Sequence, residues 1–161
     1  MSRAFVRESD DSRELGPPRS QLPPGVTNYI TPGGAKKMQA QLDGLMEQKR
    51  NCRLEEEKKR LDAQIRDLQG RVQTLVITPV PASLETISFG TTVKMRDSRG
   101  EETTSRIVGV EEVDLEHNWI SWRSPLARAL LSHRVGDRVR FNAPAGAQEF
   151  EILEISYRDD K

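Results

Sequence analysis

The sequence predicts an α+β protein: an N-terminal antiparallel helical hairpin (a short coiled coil), followed by a small, mostly antiparallel α+β domain. Three observations carry this expectation. Residues 35–75 place apolar side chains three, four and seven apart, in two runs that are out of phase with each other. From Pro79 onward the pattern shortens to strand-like runs separated by Gly and Pro turns. Within that second region Ser124-Pro125 opens one short helix.

Composition bounds the rest. A chain of 161 residues suits one domain of ordinary size, or a small domain with an extended appendage. Its hydrophobic fraction of 35% and charged fraction of 31% favour a modest core plus something thin and solvated. Residues 1–30 carry four basic and four acidic groups, 31–77 ten against seven, and 78–161 eleven against fourteen. The formal net charge is zero, so no global field draws the chain to nucleic acid or to a membrane surface. Cys52 is the single cysteine, which excludes an internal disulfide, and His117 and His133 have no second ligand at a recognisable spacing. No run approaches the roughly 18 apolar residues of a membrane span. Met1 to Asp11 contains no apolar signal core, and a cytoplasmic protein is expected.

Residues 1–28 read as a disordered tail, with Gly16-Pro17-Pro18, Pro23-Pro24-Gly25, many charges and little to bury. Residues 29–78 form the expected hairpin. Thr31 is a good N-cap, and Pro32 suits the first helical position, where a missing N–H costs nothing. Ala35, Met38, Leu42 and Leu45 make one seam, which Lys49 and Cys52 continue. Leu54, Leu61, Ile65, Leu68, Val72 and Leu75 make a second.

Extending the first register lands on Glu56 and Lys59, so the phase breaks at 52–54. Such a break marks either a stutter in one long helix that dimerises or a reversal of the chain. Reversal near residue 54 sets Leu42 opposite Leu68, Leu45 opposite Ile65 and Ala35 opposite Leu75, so it accounts for the pattern within one chain. Each arm then spans about 30 Å at 1.5 Å per residue. Glu55, Glu56 and Glu57 open the second arm, where the helix dipole favours acidic groups by about 0.3–1 kcal/mol. They also lie within reach of Lys58, Lys59 and Arg60 one turn on. Cys52, at the tip, reads as a small apolar filler.

Residues 79–161 form the second domain. Its expected strands are Thr91–Arg96, Thr103–Val110, Trp119–Trp122, Arg138–Asn142 and Gln148–Tyr157. Asp97-Ser98-Arg99-Gly100 and Pro144-Ala145-Gly146 read as turns, and Leu126 to Leu131 as a helix capped by Ser124. Glu111, Glu112, Asp114 and Glu116 form an acidic run that is either a solvated edge or a partner contact. Trp119 and Trp122, three apart on one strand, point to opposite faces.

Phe89-Gly90-Thr91-Thr92-Val93, Arg106-Ile107-Val108-Gly109, Ile120 through Leu131, Val135-Gly136-Asp137 and Pro144-Ala145-Gly146 occur in this order. Together they resemble the C-terminal domain of the GreA/GreB transcript-cleavage factors, and Ser124-Pro125-Leu126-Ala127-Arg128-Ala129-Leu130-Leu131 is the most distinctive piece. Tyr29-Ile30-Thr31-Pro32-Gly33-Gly34 is similar to the opening of that family's coiled coil, so the resemblance spans about residues 29–157.

The resemblance implies an FKBP-like fold for the second domain and docking on the outer rim of the secondary channel of bacterial RNA polymerase. The hairpin would point down that channel. In the family, acidic residues at its tip help hold a catalytic magnesium for two-metal phosphodiester hydrolysis by the polymerase. Carried onto this chain, the polymerase-binding residues are Ser124, Pro125, Leu126, Ala127 and Arg128. Glu111, Glu112 and Asp114 are candidates for a second contact, and Glu55 and Glu56 are the tip carboxylates.

The family's tip pattern, approximately D-x-x-E-N-x-E-Y, is absent. The family's arms are longer by roughly ten residues, or about 15 Å, whereas a metal demands oxygen at about 2 Å. The expected function is therefore a polymerase-binding factor that modulates elongation without efficient transcript cleavage. The alternative is an active cleavage-stimulating factor that uses Glu55 and Glu56. Neither is a free-standing enzyme. No cofactor is bound stably, magnesium enters only as the polymerase's own ion, and nucleic acid is met only through the polymerase. A monomer with no membrane contact completes the expectation.

Overall fold

Apolar seams, caps and Gly turns translate into two packed units. The computed structural model describes residues 22–158. Residues 1–21 of the expected tail, and the last three residues, lie outside the described residues.

The first unit opens with β1 (Asn28–Ile30), one residue inside the segment read as disordered. Thr31 then caps α1 (Pro32–Asn51), its hydroxyl oxygen accepting from the Gly34 N–H at 3.0 Å. Lys49 and Arg50 occupy the last turn of α1, where cations suit the dipole, and Cys52 caps its end. Three residues later α2 (Glu55–Gln73) begins without a side-chain cap but with Glu55, Glu56 and Glu57 in its first turn. The two helices pack together. Met38 and Leu42 of α1 share one buried cluster with Ile65 and Leu68 of α2 and with Ile30, and Ala35, Leu45, Val72 and Leu75 pack around it. Near the junction Lys49 Nζ pairs with Asp62 at 2.5 Å.

The second seam does not run helically to its end. Helix α2 stops at Gln73, and Leu75 enters β2 (Leu75–Ile77), which pairs in parallel with β1: Asn28 with Leu75, Ile30 with Ile77. A parallel pair closed by backbone hydrogen bonds outweighs the spacing that makes Leu75 look helical. This clasp ties the start of α1 to the end of α2, and the Thr78 N–H extends it by donating to Ile30 O at 2.8 Å.

The second unit is a five-stranded sheet, in the order β5-β4-β3-β7-β6. Its strands are β3 (Thr92–Asp97), β4 (Glu102–Val108), β5 (Trp119–Ser121), β6 (Arg138–Ala143) and β7 (Gly146–Ser156). All neighbours are antiparallel except β4 and β5, which run parallel with Arg106 beside Trp119. The β3–β4 turn is held by Asp97, whose Oδ1 accepts the N–H groups of Arg99 and Glu101 at 2.9 Å each. It closes at Gly100, whose φ of 87° suits glycine. Strand alternation puts Val93 and Met95 inside, and α3 (Pro125–Leu130) covers that face with Ala127 and Leu130. Ile87, Ile107, Val139, Ile152 and Ile155 complete the core. Trp122 falls just past β5 and packs against this core, where its edge meets Tyr29 at 5.4 Å between ring centroids.

Candidate functional site

Three groups of residues singled out by the sequence lie in three places. At the helix junction, Glu55 Oε1 meets Lys58 Nζ at 3.1 Å and Glu56 meets Lys59 at 3.9 Å, each within its own turn. The two carboxylates are 78% and 90% exposed, a setting in which such pairs are worth only about 0.3–0.5 kcal/mol. Cys52, read as a small filler at the tip, is half-buried there, and its Sγ lies 3.4 Å from Glu57 Oε2 and 3.5 Å from Leu54 O. Among the described residues, no three His, Cys, Asp or Glu side chains are grouped to hold a metal.

At the start of α3 the Ser124 hydroxyl accepts the Ala127 N–H at 3.2 Å, fixing the first turn. The five predicted contact residues then divide. Ala127 is fully buried, so it supports the surface and cannot touch a partner. Leu126 is half-buried against the core, Ser124 is half-buried by its capping role, and Pro125 and Arg128 face solvent.

The acidic run is a structural joint as well as a surface. A 3-10 turn over Val110–Glu112 follows β4 and aims two carboxylates at the first unit. Glu112 Oε2 accepts the N–H of Gly109 at 2.9 Å and of Thr31 at 3.1 Å, while Oε1 accepts the Thr31 hydroxyl proton. The Thr31 hydroxyl therefore caps α1 and ties it to the sheet unit at once. Glu111 Oε2 receives Arg71 Nη1 of α2 at 2.8 Å. Neither carboxylate is the solvated edge that a local reading gives, and Glu112 is committed within the chain.

Asp114 behaves differently. Its Oδ2 lies 2.6 Å from His117 Nδ1, and its Oδ1 accepts the Glu116 and His117 N–H groups. The hydrogen bond from the His117 ring, acting against an opposing desolvation, holds the Asp114 carboxyl below its ordinary value of 3.8. Trp119 stands next to it, with Lys37 Nζ and Arg106 Cζ each 5.0 Å from its ring centroid.

Residues 82–157 match the family model described as Transcription elongation factor, GreA/GreB, C-term. The chain is 34% identical over 154 residues to transcription elongation factor GreB of Xanthomonas axonopodis pv. citri, covering 81% of this chain and 92% of that protein. The chain belongs to the GreA/GreB family. It is also 40% identical over 99 residues to GreB of Neisseria meningitidis serogroup A, a match that covers 60% of this chain and only 61% of that relative's length. A solved structure, the GreA factor homolog Gfh1 of Thermus thermophilus, is 26% identical with a TM-score of 0.42 over 81% of this chain and 99% of that one, too loose a superposition to add to the sequence match.

The GreA/GreB C-terminal match contains Ser124 to Arg128 and the sheet side of the joint, Gly109, Glu111 and Glu112. Thr31 and Arg71, the helical side of the joint, lie outside it. Local sequence reading found Thr31 only as a cap, because its second partner is 81 residues away. Gly109 entered the sequence reading only as the end of the Arg106-Ile107-Val108-Gly109 motif, and nothing local to it announced its contact with Thr31 through Glu112.

Proposed function

We propose that this GreA/GreB-family chain is an RNA polymerase-binding transcription factor that docks at the secondary channel and modulates elongation without efficient transcript cleavage. In this reading residues 29–78 form a short antiparallel coiled-coil hairpin directed into the channel. Residues 79–161 form the FKBP-like domain that holds the rim. The partner is bacterial RNA polymerase, magnesium belongs to the polymerase, and nucleic acid is met only through it. The factor acts as a cytoplasmic monomer.

The observation that carries the docking surface is the start of α3, where Pro125 and Arg128 stand exposed over fully buried Ala127 and Leu130. A helix start fixed by its core and its cap presents two side chains in one geometry, which lowers the ordering cost of binding. The combined substitution Pro125→Ala and Arg128→Glu is expected to weaken binding to core polymerase by about tenfold or more, the effect of losing an interface anchor. Copurification and a fluorescence binding titration measure it; unchanged affinity removes this surface from the interface.

The reading against efficient cleavage draws on the helix lengths of 20 and 19 residues and on Glu55 and Glu56 each facing a lysine of its own turn. One observation favours the alternative, in which the chain stimulates cleavage of backtracked transcripts: three glutamates crowd the first turn of α2 with their side chains in solvent. Adding the protein to a backtracked polymerase complex separates the two. Release of short 3′ RNA fragments that is lost in Glu55→Gln plus Glu56→Gln supports the alternative; bound factor without fragments supports the first reading.

A further inference from the structure

We propose that the hollow between α1 and the Asp114–Trp119 turn is a docking groove for a cationic, amphipathic helix of a protein partner; identifying that partner as RNA polymerase rests on the reading above. The hollow measures about 600 Å³, with Met38, Val113, Leu115 and Trp119 as its apolar wall and Glu111 and Glu116 on its edge. Leu115 is 80% exposed and Val113 44%. A single exposed leucine is ordinary, but this one stands at the rim of an apolar hollow, on a turn whose backbone is held rigidly by hydrogen bonds.

The rigidity is visible in the turn. Asp114 and Trp119 exchange both backbone hydrogen bonds, at 3.1 and 2.8 Å, and the Asn118 N–H closes on Leu115 O at 3.3 Å. Asn118 takes a positive φ of 57°, and Asp114 Oδ1 gathers the N–H groups of residues 116 and 117. A backbone fixed this way leaves only the side chain's own rotamers to be ordered on binding. Met38, 7% exposed and part of the buried cluster between α1 and α2, closes the floor of the hollow. Trp119 is braced by Lys37 and Arg106.

Charge selects the occupant. Glu111, Glu112, Asp114 and Glu116 line the hollow against one cation, Lys37. Glu111 is paired with Arg71; Asp114 accepts from the His117 ring and two backbone N–H groups, Glu112 keeps its charge while both its oxygens hold Thr31 and Gly109, and Glu116 stands in solvent. The rim is therefore negative, repels phosphate backbones, and favours lysine or arginine flanking an apolar stripe. An apolar slot beside a helix, with a knob at its rim, suits side chains spaced three and four apart on a partner helix.

Two titrations of the full chain test this. In the first, a synthetic helix with a leucine stripe and a lysine face is added while the Trp119 indole N–H is followed by NMR, with a copy carrying glutamate for lysine as control. A saturable shift with the lysine helix alone, weakened by salt and about tenfold weaker in Leu115→Ser, which removes the apolar contact without changing charge, is expected. Equal responses to the two helices, or no change in Leu115→Ser, overturn the groove. In the second, Leu115→Ser and wild type are titrated against core RNA polymerase. About tenfold weaker binding of the variant supports the assignment, and equal binding overturns polymerase as the occupant. If wild type binds the lysine helix but not polymerase, the proposed function falls while the groove stands.

Discussion

Gly109→Ala is expected to be among the most damaging single substitutions in the chain, lowering the unfolding free energy by about 4 kcal/mol or more. The reason is space rather than dihedral freedom, since Gly109 has an ordinary φ of −71° and ψ of 164°. A Cβ there would lie 2.0 Å from the carbonyl oxygen of Tyr29 and 3.1 Å from its carbonyl carbon. These are backbone atoms and cannot swing aside. Moving them displaces Ile30 and Thr31, which are 0% and 1% exposed, and strains the clasp between β1 and β2. Moving Gly109 instead withdraws its N–H from Glu112 and the carboxylate from Thr31, leaving buried donors unpaired at about 1–3 kcal/mol each. Urea denaturation followed by circular dichroism measures the loss. A change below about 1 kcal/mol would show that β1 and the end of β4 move apart freely.

Leu130→Ala is the second large effect, expected at about 3–4 kcal/mol. Leu130 is fully buried on α3 among Val93, Met95, Ile107 and Val139, in a core with no exposed side to relax into. Arg128, two residues earlier and in solvent, gives the control: Arg128→Ala is expected to change stability by no more than about 0.5 kcal/mol. The pair separates roles that lie within one turn of helix. A variant that loses stability at 130 but not at 128, and polymerase affinity at 128, identifies α3 as a core element with one functional face. Similar stability losses at both positions would contradict the burial pattern.

What the sequence disclosed follows from how local each cause is. Thr31 and Pro32 announce the start of α1 because a cap and its helix are neighbours, and the register break at 52–54 coincides with the three residues between α1 and α2. The strands of the sheet fall within about two residues of their expected bounds, since alternation and the Asp97–Gly100 turn are written into short stretches. The clasp was not legible. Strands β1 and β2 have three residues each, too few for alternation to register, and pair across most of the helical unit. Leu75, three residues beyond Val72, satisfies helical spacing until a distant strand claims it. The acidic run misled for the same reason. Glu111 and Glu112 look like solvated charge in isolation, and only the fold brings Arg71 and Thr31 to them. In the predicted contact segment, Ala127 reads as part of a surface motif, while burial assigns it to the core.

The joint between the two units also has a mechanical meaning. The 20 residues of α1 extend roughly 30 Å from Thr31 to the helix junction, so the Glu112–Thr31 contact sits at the fulcrum of a lever. A rotation of only about 10° there would sweep Glu55 through about 5 Å, as far as one helical turn rises. The direction of the arm is thus set at its base, by Glu112 with Thr31, Glu111 with Arg71 and Gly109 against Tyr29, rather than by the glutamates at its tip.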